Sequence, residues 1–148
     1  MKQKSVVELF VTILVFVFLY TAANKLLEPR IFRYSLSQSP VLKQAADYIT
    51  YALPVAELLT VILMIVPRTR LLGLYVVSAM LTVFTVYLIW MVMFTPKLPC
   101  GCGGIIAKLG WRNHIFVNLA LLGMAIGGVV LQRKLRLAQY SYREGTLA

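Results

Sequence analysis

The chain has 148 residues, of which 60% are hydrophobic and only 14% charged, whereas soluble domains carry about 45–50% apolar and about 25% charged residues. Its formal net charge is +10, but the 15 Lys and Arg residues lie between and beyond long apolar runs, where snorkelling and phospholipid headgroups account for them. Composition therefore excludes a soluble globular fold and gives no support for nucleic-acid binding; the lipid bilayer is the first partner it implies.

The apolar residues gather into four runs. Val6 to Ala23 is interrupted only by Glu8, Thr12 and Thr21. Lys2 and Lys4 ahead of it and Thr21-Ala22-Ala23 behind it resemble a secretory signal, but the run is longer than a usual signal core. It is expected to remain as a helix of the mature protein. Ile49 to Val66 is the second run, carrying Pro54 and Glu57. Leu71 to Phe94 is the third and has no charged residue. Ile115 to Leu131 is the fourth, with Asn118 its one strongly polar member. A membrane-spanning helix needs about 20 apolar residues. The expected fold is thus an all-α membrane protein, a four-transmembrane-helix bundle over residues 1–132, with spans at 6–23, 49–66, 71–94 and 115–131. A basic and polar tail, 133–148, follows and shows no recognisable structure.

Orientation follows the basic residues at span ends. Arg68-Thr69-Arg70 and the Arg133-Lys134-Arg136 cluster sit directly beside spans on the same side as the N-terminus. They predict an N-in/C-in topology in a bacterial cytoplasmic membrane, with the connections 24–48 and 95–113 on the periplasmic side. Within the first of these, Ser39-Pro40 has the form of a helix start, and Val41, Leu42, Ala45, Ala46 and Ile49 recur at helical spacing. The spacing predicts an amphipathic extension before the second span, one helix from Pro40 to Val66 bent at Pro54.

The chemistry concentrates in Pro99-Cys100-Gly101-Cys102-Gly103-Gly104, which holds both cysteines of the chain. A disulfide across one intervening residue closes a small ring, and strain makes such a bond easier to reduce. The neighbouring glycines give the backbone the freedom that ring needs. On the outer side of the membrane the compartment permits disulfides. These features favour Cys100 and Cys102 as a redox-active pair. A permanent clip, which would constrain little chain, and two unpaired thiols stand as alternatives. A metal site would have only His114 nearby as a further soft ligand, short of the usual three or four, and no metal is assigned.

Glu57 is the second singular residue, a carboxylate about two turns inside an apolar span. Such a group is costly there unless a cation pairs with it, and Lys25 and Arg112 are the cations within reach. It is expected to face the bundle. Glu57 reads either as a structural ion-pair partner or as a proton donor and acceptor for thiol exchange. His114, at the mouth of the fourth span, reads as an interfacial anchor or as a second proton carrier near neutral pH. Gly123 and Gly127 form a GxxxG pattern that permits close helix contact. Tyr48, Tyr51, Tyr87, Trp90 and Trp111 are placed as interfacial aromatics.

With these residues in view the chain resembles the MauE family, within the MauE/DoxX group of small four-helix membrane proteins. The resemblance runs over roughly Ser5 to Val130. It rests on Asn24-Lys25-Leu26-Leu27, Gln38-Ser39-Pro40, Pro54 with Glu57-Leu58-Leu59, Pro67-Arg68-Thr69-Arg70-Leu71-Leu72-Gly73-Leu74, and the Pro-Cys-x-Cys-Gly-Gly loop followed by Trp111. It implies an inner-membrane protein that works with a thioredoxin-like partner to mature disulfide-rich periplasmic proteins, with methylamine metabolism as the family's setting. Nothing in the residues speaks of methylamine, so that substrate is not carried over.

The expected function is thiol–disulfide exchange, or maturation of periplasmic proteins, through Cys100 and Cys102. The alternative is a non-enzymatic subunit or assembly factor of a larger membrane complex, in which the pair is structural; a small-solute or metal transporter is a third, less supported reading. No nucleotide loop, haem-attachment motif or paired His ligands occur, so no cofactor is evident. An electron carrier, if one is used, would be a quinone held between helices.

Overall fold

The computed structural model describes residues 2–94 and 111–147, with side chains from 3 to 94 and from 113 to 141. Among them there are five α-helices and no strand: α1 (Lys2–Leu27), α2 (Pro29–Ser37), α3 (Ala46–Ile65), α4 (Arg70–Phe94) and α5 (Trp111–Leu147). A single 3-10 turn, Lys43–Ala45, precedes α3. Four segments, Gln3–Leu27, Lys43–Ile65, Arg70–Phe94 and Asn113–Ser141, are long and apolar enough to cross a membrane, in agreement with the runs read from the sequence.

The spanning helices pack as an up-and-down bundle. The α3–α4 connection is short because Val66, preceding Pro67, turns extended (φ −73°, ψ 119°). Thr69 then donates its side-chain hydroxyl to the Leu63 carbonyl at 3.0 Å, and Arg70 Nε donates to the Met64 carbonyl at 3.3 Å. Gly73 lies so close to α3 that a Cβ there would stand 2.7 Å from the Met64 nitrogen. Leu74 of α4 packs at Gly128 of α5, and Phe10 of α1 packs at Gly127. Arg136 donates to the Arg68 carbonyl at 2.8 Å. Together these contacts put α5 antiparallel to both α1 and α4. The ends of α1 and α4 and the starts of α3 and α5 therefore share one end of the bundle.

Residues at helical spacing fill the interior: Val7, Val11, Leu14 and Phe18 from α1, Val61 and Met64 from α3, Leu74, Val77 and Leu81 from α4, and Leu121, Ala125 and Val129 from α5. The outward faces are apolar as well. Phe16 is 70% exposed and Val83 67%, which suits a surrounding of acyl chains and not of water.

Three expectations need correction. First, no continuous helix runs from Pro40 to Val66. Ser39 is buried and accepts the Lys43 N–H at its carbonyl (3.1 Å) and the Leu42 N–H at its hydroxyl (3.4 Å), so it caps a turn, and Ala45 (φ −104°, ψ 7°) separates that turn from α3. The amphipathic element is instead α2, which begins at Pro29 because the preceding Glu28 is driven out of helical geometry (φ −126°, ψ 60°). Phe32 and Leu36 anchor α2 against Ala46, Leu42, Ile49 and Leu53. Second, the region after Gln132 is helical: α5 has 37 residues, about 55 Å at 1.5 Å per residue, and passes the α3–α4 turn. Third, Gly123 has no atom within 4 Å of an added Cβ; the close-packed pair in α5 is Gly127 and Gly128.

Candidate functional site

Two buried stripes converge at the end of the bundle where α1 and α4 finish. On α3, Thr50, Pro54, Glu57, Thr60, Val61 and Met64 are all buried, so the three- and four-residue steps of the helix carry Glu57 inward with its neighbours. On α1, Phe18 and Ala22 are buried and Lys25 continues the same face. Helical phase puts each charge on the buried face of its own helix, and the packing of α1 against α3 brings the carboxylate and the ammonium together.

Lys25 Nζ donates to Glu57 Oε1 in a direct ion pair, with the lysine side chain 15% exposed and the glutamate 2%. Thr21, one turn earlier on α1, also lies beside the carboxylate. The ammonium stands 5.6 Å from the Phe32 ring centre and 5.8 Å from that of Phe84, within cation–π range. Helices α1, α2, α3 and α4 thus meet at a single charged atom. Glu57 Oε2 is buried and has no hydrogen-bond partner among the described residues. Lys25 fixes one oxygen of the carboxylate, and Thr21 is the further polar side chain beside the group.

Glu57 thus faces the interior and takes Lys25, one of the two cations expected to reach it. The side chain of Arg112, the other, lies outside the described residues. His114 lies in the first turn of α5 at the same end and is partly buried. Asn118, one turn further on, is buried. Cys100 and Cys102 lie outside the described residues, as does the side chain of Trp111; in sequence they fall between Phe94 and Trp111, two helix ends that share the end of the bundle holding Lys25 and His114.

The phenylalanines around Lys25 escape a sequence reading, since single apolar residues in apolar helices carry no mark of a special role. The signal for α2 was legible: Pro29 follows a charged residue, and Phe32 and Leu36 stand four apart among mainly polar residues, with Ile31 the other aliphatic one. At the opposite end of the bundle Arg70 approaches Glu8 at 3.9 Å, beside the Thr69, Arg70 and Arg136 contacts of the α3–α4 turn.

Comparison with curated proteins and with solved structures gave no match. The family model described as methylamine utilisation protein MauE matches residues 3–131, covering all four membrane-spanning runs, the cysteine segment and both members of the buried ion pair. The chain belongs to the MauE family.

Proposed function

We propose that the protein passes thiol–disulfide equivalents to proteins at the outer face of a bacterial cytoplasmic membrane, through Cys100 and Cys102 on the periplasmic side. The observation that supports this most directly is the attachment of the cysteine segment. The described helix ends on either side of it, at Phe94 and Trp111, lie at the end of the bundle where the Lys25–Glu57 ion pair is buried and where His114 stands. Thiol exchange needs a thiolate and a group to hold the displaced proton, and Glu57 and His114 are the candidates for that second task.

In the exchange, the thiolate of one cysteine attacks a sulfur of the partner's disulfide. A mixed disulfide forms and the partner's other sulfur leaves as thiolate. The second cysteine then attacks the mixed disulfide, so that Cys100–Cys102 becomes oxidised and the partner leaves as a dithiol, with two electrons moved. The reverse sequence oxidises the partner, and relative reduction potentials set the direction. A thioredoxin-like protein has the chemistry to serve as that partner.

The alternative reading, a subunit or assembly factor with a structural cysteine pair, draws on the same ion pair, which as a tie among four helices has an architectural role of its own. Replacing Cys100 or Cys102 singly with Ser and searching for a trapped mixed disulfide in membranes separates the two. A covalent adduct that disappears on reduction supports exchange. Absence of any adduct, together with full function of the double Ser variant, leaves the assembly role.

A further inference from the structure

We propose that the cavity between α2 and the start of α3 binds the phosphate group of an anionic phospholipid. This cavity, of about 310 Å³, is lined by Pro29, Arg30, Arg33, Asp47, Thr50 and Tyr51. Its charges are two cations against one carboxylate, a net of one positive. Arg33 pairs with Asp47 at 2.5 Å. Arg30 makes no ion pair among the described residues, so its planar fork of donors is available for a phosphate, which it can bind in bidentate fashion.

The depth of the cavity fits a headgroup. Asp47 is in the first turn of α3, at the outer limit of the spanning segment Lys43–Ile65. Tyr48 and Tyr51 beside it are 81% and 62% exposed, as aromatic residues at a membrane–water boundary are. Helix α2 buries Phe32 and Leu36 and leaves Arg30 and Arg33 outward, the disposition of a helix lying in the interface plane with cations at phosphate level. The carboxylate of Asp47 opposes the anion directly and also occupies Arg33. This sets two opposite signs: removing Arg30 weakens binding, and removing the charge of Asp47 strengthens it.

The test uses the full chain in neutral detergent, titrated with phosphatidylglycerol and with phosphatidylcholine, with bound lipid counted by native mass spectrometry. One phosphatidylglycerol should be retained in preference to phosphatidylcholine. Arg30→Gln should weaken retention about tenfold or more, the loss expected for a charge-assisted hydrogen bond. Asp47→Asn should tighten it, and Arg133→Gln, at the far end of the bundle, should leave it unchanged. Equal retention by Arg30→Gln and the parent chain, or weaker retention by Asp47→Asn, overturns the proposal. Displacement of the lipid by millimolar inorganic phosphate overturns its assignment to a lipid headgroup.

Discussion

Lys25, in the last turn of α1, and Glu57, in the middle of α3, form a buried ion pair that is capped by the rings of Phe32 and Phe84. Taking either charge away strands the other inside the bundle, and breaking such a pair costs about 3–5 kcal/mol. Glu57→Leu and Lys25→Met should each destabilise on that scale, and Glu57→Gln less, because the amide still accepts from Lys25. The double variant Lys25→Met/Glu57→Leu should recover much of the loss, since no orphan charge remains. Unfolding in mixed micelles measures all four. Strictly additive single-variant effects would show that the two groups do not act as a pair.

Gly73 tests the α3–α4 hairpin. Because its missing Cβ would meet the Met64 backbone at 2.7 Å, Gly73→Ala must push the two helices apart, at roughly 1–3 kcal/mol. Gly123→Ala, where an added Cβ meets nothing, should leave stability unchanged or raise it by up to about 1 kcal/mol. Thermal unfolding of both variants in one detergent gives the comparison, and equal losses would contradict the assigned packing.

The proposed topology puts both termini and the Arg68–Arg70 turn in the cytoplasm. Membrane-impermeant maleimide, added to intact cells after mild reduction, should then label Cys100 and Cys102. Labelling that needs a permeabilised membrane would reverse the orientation and remove the disulfide-permissive compartment from the functional proposal.

The cysteine pair should titrate between disulfide and dithiol in graded glutathione buffers. Structural disulfides commonly lie below about −300 mV, and a pair that exchanges with a partner should lie well above that. Alkylation and mass analysis across the buffer series reads the potential. A strongly reducing value would remove the exchange role.

The membrane character, the number of spans and their approximate limits were legible in the order of residues, because an apolar run long enough to cross a bilayer is a local property. So was the inward aim of Glu57, since a carboxylate in acyl chains has no stabilising environment. The choice of its partner was a tertiary matter. Lys25 and Arg112 flank the same end of the bundle in sequence, and only the packing of α1 against α3, with α2 folded across at Pro29, brings Lys25 to the carboxylate between Phe32 and Phe84. The same holds for the glycines of α5: the GxxxG spacing nominated Gly123 with Gly127, whereas the rotation of the helix against Phe10 and Leu74 selects Gly127 with Gly128. Helical phase determines which residues share a face, but the face that turns inward is decided by the summed packing of all the helices, a sum that no single segment contains.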